Sequence, residues 1–151
     1  MITATKEVQD FLDEDYSLQR ERACISQAKR EQLEIVKGDE HTLVFDLDSD
    51  HALQVFMDRV EFLRAKFGMT NLEVTRSKTQ GHYHAVAILD PAHPPISDVL
   101  RLAIQACLGS DWKKEMLGVL RTLNYSVGDS LLFRPSKLTI VYSWSIQEDQ
   151  P

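Results

Sequence analysis

The run Leu43-Val44-Phe45-Asp46-Leu47-Asp48 constrains the fold most tightly. In an extended chain Leu43, Phe45 and Leu47 fall on one face, and Val44, Asp46 and Asp48 on the other. A strand is therefore predicted over 41–48. Ser49 or Asp50 follows in an N-cap position. Leu53, Phe56, Val60, Leu63 and Phe67 then recur at spacings of three and four, the stripe of an amphipathic helix. Gly68 is placed to end it. A strand with one apolar face leading directly into a helix with one apolar stripe calls for a layered structure in which the two faces meet.

The remaining elements follow from the same periodicities. Strands are predicted at 72–76 and 82–89, joined by the hairpin-length loop Ser77-Lys78-Thr79-Gln80-Gly81. Three prolines between 91 and 95 exclude regular structure there. A helix over 96–108 would turn Ile96, Val99, Leu100, Ala103, Ile104 and Cys107 inward. After Gly109, a second helix would use Trp112, Met116, Leu120 and Leu123. Strands are predicted at 131–134 and 138–144. Upstream, helices are expected at 5–14 and 16–32, the second with a thin stripe of Leu18, Ile25 and Ala28, and a turn at 37–40. The class is α+β in a single domain, 1–151. A helical N-terminal extension (1–36) precedes an RRM-like core (41–144). That core is a split βαβ antiparallel sheet with helices on one face.

Charge is distributed unevenly. Residues 1–50 carry 13 acidic and 6 basic side chains, a net of −7. The remainder carries 10 and 11, a net of +1, which together give the overall −6. The chain as a whole is no general phosphate-backbone binder, but its later part has the basic residues to form a groove. These include Arg76, Lys78, Lys113, Lys114, Arg121, Arg134 and Lys137. Cys24 and Cys107 form no CxxC pair and carry no zinc signature, so they are read as small buried thiols. The first residues lack a signal-peptide pattern, and no apolar run approaches the roughly 18 residues that span a bilayer. The expectation is a soluble, cytoplasmic protein without membrane partners.

Three groups of residues can carry chemistry. Asp46 and Asp48, at i and i+2 on a strand, project from one face about 7 Å apart, a spacing suited to sharing a divalent ion. The bland alternative makes Asp48-Ser49-Asp50 a helix cap, which leaves Asp46 unexplained. His82 and His84 also share a face and can bind a metal, contact a phosphate or transfer protons. Alternatively, His82 is merely exposed and His84 hydrogen-bonded. In Ser110-Asp111-Trp112-Lys113-Lys114-Glu115, helix-start amides and two lysines can receive an anion. Asp111 can serve as a third carboxylate, or the stretch is an ordinary cap.

Together these segments resemble the catalytic core of the archaeo-eukaryotic primase superfamily, in its small phage and plasmid replication branch. Leu43 to Asp48 matches the hhDhD strand. Ser77 and His84 match the serine–histidine motif across the Gly81 loop. Leu108-Gly109-Ser110-Asp111 resembles the third, acidic motif. The likeness spans 41–135. It implies a DNA-replication nucleotidyltransferase with nucleotides, nucleic acid and other replication proteins as partners. Asp46, Asp48 and Asp111 would be catalytic and hold Mg²⁺ or Mn²⁺. Ser77, Lys78, His82, His84, Lys113 and Lys114 would bind nucleotide phosphates. The chain departs from the family in being short, in lacking a zinc element, and in carrying Lys78-Thr79-Gln80 where glycine is common. His82-Tyr83-His84 also fits the His-hydrophobe-His strand of HUH nicking endonucleases, with Tyr125 as nucleophile but no lysine one turn away. A third reading is a catalytically inactive module that binds nucleic acid, or one that binds a host protein through its acidic N-terminal third.

Overall fold

A computed structural model describes Lys6, residues 25–125 and residues 130–147. The helix expected over 5–14, most of the one over 16–32, and Cys24 lie outside the described residues, though 25–30 are helical. The elements that follow are β1 (Leu33–Gly38), β2 (Thr42–Leu47), α1 (Asp50–Arg59), α2 (Glu61–Phe67), β3 (Met69–Arg76), β4 (Tyr83–Leu89), α3 (Asp98–Cys107), α4 (Trp112–Tyr125), β5 (Ser130–Pro135) and β6 (Ile140–Ser145). The α+β class with antiparallel sheets holds. No helix among the described residues is long and apolar enough to cross a membrane.

The main sheet has the order β2-β4-β3-β6, antiparallel throughout, and a two-strand ribbon pairs β1 with β5. β2 and β3 flank β4, so the first split βαβ unit forms as expected. The last strand departs from an RRM-like order, which would set it beside the first. Here β6 takes the far edge, against β3. The β2 edge is occupied instead: Ile96 N donates to Glu40 O, Gln105 receives Val44 N, Ser110 receives Asp46 N, and Asp111 N donates to Asp46 O. A strand edge whose hydrogen-bonding groups are already met has no room for another strand. The ribbon also corrects the N-terminal boundary. Residues 33–36 are strand, because Leu33, Ile35 and Val36 pair with β5, a long-range contact that local periodicity does not reveal.

The core lies on the sheet face formed by Leu43, Phe45, Leu47, Leu72, Val74, Ala85, Ala87 and Leu89, against Phe56, Val60 and Leu63. The predicted helical stripe is therefore real, but the helix divides at Val60. Ser49 caps α1 by receiving Ala52 N at 3.0 Å. Gly68 ends α2 at φ 64, in the left-handed region open to glycine. Phe56 is wholly buried, with its ring 4.8 Å from that of Phe45. Phe56→Ala is expected to cost about 3–5 kcal/mol, read as a lowered urea midpoint at unchanged slope.

The inward faces of α3 and α4 differ from expectation. Of the residues assigned inward on α3, Val99, Leu100, Ala103 and Cys107 are exposed. The helix instead buries Arg101, Leu102, Ile104 and Gln105. On α4, Trp112, Met116 and Leu123 are exposed, while Glu115 and Gly118 are buried. The cause is the edge of β2. It demands hydrogen-bonding side chains, so the two helices turn a polar seam inward. Close approach then requires Gly118, where a Cβ would sit 2.8 Å from Leu102 Cδ2.

Candidate functional site

The second face of the sheet carries a grid set by register. Asp46 lies opposite His84, and His84 opposite Thr75. One step along are Val44, Val86, Glu73 and Ser143, and beyond them Thr42, Ile88, Asn71 and Ser145. Paired residues on adjacent strands point to the same face. At the other end of β2, Asp48 meets His82 in continuation of this register. The two strands predicted to hold the chemistry are thus neighbours, and their motifs face each other.

Distances define the cluster. His84 Nε2 lies 3.8 Å from Asp46 Oδ1, His82 Nδ1 lies 3.5 Å from Asp48 Oδ1, and Lys114 Nζ lies 3.6 Å from Asp46 Oδ2. Lys114 also donates to Leu131 O at 2.9 Å, which fixes its ammonium between β2 and β5. Burial, with the nearby Asp46 and Asp111 carboxylates, raises the Asp48 pKa above the ordinary value. Burial lowers the His84 pKa, against the opposing pull of Asp46, and Lys114 and Arg134 add to the lowering. His84 is therefore a neutral imidazole at pH 7, able to donate or accept a hydrogen bond. Its Nδ1, like the hydroxyl of Thr75, is buried without a hydrogen-bond partner among the described residues.

The other predicted residues divide. Asp111 reaches the cluster and also caps α4, accepting from Lys113 N at 3.0 Å. Lys113 instead extends over Trp112, 5.8 Å from its ring centre. Ser110 is buried and structural: it receives Asp46 N at 3.0 Å and donates to Glu115 Oε1 at 2.7 Å. Ser77 closes the β3–β4 hairpin, its N–H donating to His82 O and its hydroxyl receiving Thr79 N. Lys78 is exposed at that tip and, among the described residues, forms no ion pair. Tyr125 ends α4, eleven residues beyond Lys114, which places it about 16 Å along the helix axis from the cluster. The burial assigned to Cys107 is corrected: it is exposed, on the outer side of α3.

Sequence reasoning missed the supports. Gln105 accepts from Val44 N and donates to Glu115 Oε2 and Ser130 Oγ. Glu115 joins Gln105 to Ser110, and so to the backbone of Asp46. Arg134 clamps Glu34 at 3.1 Å and Glu73 at 2.9 Å, tying the β1–β5 ribbon to the sheet. Gln105 and Glu115 fall outside the apolar stripes of their helices, so hydrophobic periodicity carries no signal for them.

Burial raises the Glu115 pKa, against the hydrogen bonds from Ser110 and Gln105. The native state then holds this proton more tightly than the unfolded chain. Its contribution to stability is full below the usual glutamate value and is lost as pH rises through the raised one. The stability of wild type relative to Glu115→Gln is accordingly expected to improve as pH falls from 7 toward 5, measured by urea unfolding at each pH.

Comparison with protein-family models, with curated proteins and with solved structures found no match. Among the described residues, no group of three His, Cys, Asp or Glu side chains is disposed to hold a metal ion.

Proposed function

We propose that the chain is a phage- or plasmid-type replication protein, a primase- or polymerase-like nucleotidyltransferase that takes nucleoside triphosphates with Mg²⁺ or Mn²⁺. The observation that carries this reading is the crowding of Asp46, Asp48 and Asp111 at one end of β2, bordered by His82, His84 and Lys114. Two carboxylates close enough to help raise the proton affinity of Asp48 favour a cation among the three, and carboxylate oxygens suit a hard divalent ion. Mg²⁺ is commonly held by one or two carboxylates, with water and substrate phosphates completing its shell. Asp46 and Asp48 would fill that role, with Asp111 beside them. The bound ion would supply charge neutralisation at the phosphates.

The chain's own groups have separate tasks. Lys114, anchored by Leu131 O, offers its ammonium to a triphosphate oxygen. His82, at the exposed end, meets the outer phosphates. His84, neutral and buried, supplies a hydrogen bond that positions rather than a charge. The reaction assigned is attack of a 3′-hydroxyl on the α-phosphorus with loss of pyrophosphate.

The test is extension of a primed template, and unprimed synthesis, with labelled nucleotides and Mn²⁺. Labelled product from wild type, absent from Asp46→Asn, supports the reading. Nucleotide binding without turnover would reduce the protein to a binding module. A covalent DNA adduct lost in Tyr125→Phe would replace the proposal with the nicking chemistry, against which the position of Tyr125 along α4 counts.

A further inference from the structure

We infer that the outer edge of β6 docks a second copy of this chain, the two β6 strands pairing antiparallel about a two-fold axis to join both main sheets into one. This pairing is independent of the chemistry proposed above. The two edges of the main sheet differ. The β2 edge is met by Ile96, Gln105, Ser110 and Asp111. The β6 edge has β3 on one side and, among the described residues, no strand on the other. The ladder to β3 decides which backbone groups point outward. Ile146 N donates to Thr70 O, so Ile146, Trp144 and Tyr142 turn their backbone groups toward β3. Ser143 and Ser145 alternate with them and turn theirs away. Their N–H and C=O groups form a row open to another strand.

Edge strands that stay unpaired are commonly guarded by charged residues or proline. Ile140-Val141-Tyr142-Ser143-Trp144-Ser145 contains neither. Its one interruption is a bulge: Val74 pairs with Tyr142 and Thr75 with Ile140, so Val141 is the extra residue. Regular pairing is thereby confined to residues 142–146. An open edge of this kind takes an extended strand, and three features select a second copy, antiparallel. A register centred on Trp144 sets Ser143 of each copy against Ser145 of the other, which uses every outward backbone group of both. The same register sets Tyr142, 40% exposed, against Ile146, 48% exposed, and joins these apolar side chains twice. Charge agrees with the direction. Lys137 lies exposed before β6, and Arg76 is bonded to Thr139 at that end, whereas Glu148 and Asp149 follow the strand in sequence. Antiparallel copies bring the acidic end of each to the basic end of the other, and parallel copies would set like charges together. The two-fold axis leaves both open faces on one side. The two β2 strands then lie about 34 Å apart, seven strand spacings, with an Asp46 cluster toward each margin of a continuous face.

The experiment is sedimentation equilibrium of the full chain from micromolar to submillimolar concentration, beside amide hydrogen exchange at both ends of that range. Wild type is expected to dimerise. The Ser143 and Ser145 amides should gain protection as concentration rises, while that of Trp144, already bonded to β3, is protected throughout. Ser143→Pro removes one outward N–H without touching the ladder to β3, and Ser143→Lys adds a charge of the kind that guards natural edges. Each is expected to weaken dimerisation at least tenfold, with thermal melts at low concentration confirming the fold. Charge reversal tests the direction. Lys137→Glu in one protein, and Glu148→Lys with Asp149→Lys in another, should each weaken self-association about fivefold, and an equimolar mixture of the two should regain it. A wild type that is monomeric at submillimolar concentration overturns the inference. A dimer indifferent to both Ser143 variants, with Ser143 and Ser145 exchange unchanged, uses another surface and also overturns it. A mixture that associates no better than its components overturns the antiparallel pairing. Should Ser143→Pro fail to fold, Ser143→Lys and the exchange of wild type still decide.

Discussion

Asp48→Asn is expected to cut nucleotidyl transfer by orders of magnitude while making the metal-free protein more stable at neutral pH. The two effects have one origin. Asp48 stands beside His82, but burial and the carboxylates of Asp46 and Asp111 outweigh that imidazole, and its pKa is raised. A carboxyl with a raised native pKa contributes stability below the ordinary aspartate value, and that contribution is lost as pH rises through the raised one. Above that range the ionised carboxylate of wild type bears the cost of burial and of the neighbouring Asp46 and Asp111 carboxylates, whereas asparagine carries no charge and bears none of it. A divalent ion reverses the ranking. It stabilises the state that binds it by RT ln(1 + [L]/Kd), so Mn²⁺ raises the melting temperature of wild type and leaves that of Asp48→Asn nearly unmoved. The measurement is a pair of thermal melts for each protein, with and without Mn²⁺, beside the synthesis assay. Activity should fall by about 10²- to 10³-fold, the order expected for loss of one group aimed at transition-state charge. A variant that is less stable than wild type without Mn²⁺, or equally stabilised by it, would remove the charge-crowding account.

How much of this site can be seen in the sequence depends on which contacts build it. The alternation around Phe45, the stripe from Leu53 to Phe67 and the two histidines flanking Tyr83 are local patterns: the first and third mark β2 and the start of β4, and the second forms two helices, α1 and α2, where one was expected. That Asp46 faces His84 follows once β2 and β4 pair, and two strong strands in an antiparallel sheet make such pairing plausible from sequence alone. The ribbon of β1 with β5 does not follow, because Leu33 meets Pro135 across a hundred residues of chain. The position of β6 does not follow either. It depends on which sheet edge is already occupied, and Ile96, Gln105, Ser110 and Asp111 decide that. Hydrophobic periodicity failed on α3 and α4 for the same reason. It assumes that the buried side of a helix is its apolar side, and here the buried side must answer the unpaired edge of β2. Val99, Leu100, Trp112 and Met116 are left outside as a consequence.

That polar seam leads to the second large effect. Gln105→Leu preserves volume approximately but is expected to destabilise the fold by about 3–5 kcal/mol. Gln105 is fully buried, and three partners depend on it. Val44 N–H loses its acceptor at 3.1 Å, Glu115 loses a donor at 2.9 Å, and Ser130 loses one at 3.3 Å. A buried donor left unmet costs about 1–3 kcal/mol, and a carboxylate left short of hydrogen bonds costs more. Transfer of the leucine side chain returns only part of this, because β2 cannot move to satisfy Val44 while β4 holds its other side. The loss also reaches the site. Glu115 holds Ser110, and Ser110 holds the backbone of Asp46, so the carboxylate of Asp46 is positioned through this chain. Urea unfolding should therefore show a lowered midpoint, and the Mn²⁺-dependent rise in melting temperature should shrink as well. Glu115→Gln gives a comparison: its amide oxygen still accepts from Ser110, but its amide nitrogen faces the Gln105 Nε2 donor, so only the Ser110 half of the seam is kept. If Gln105→Leu matched wild type in stability, the buried seam would not be what fixes β2 and, with it, Asp46.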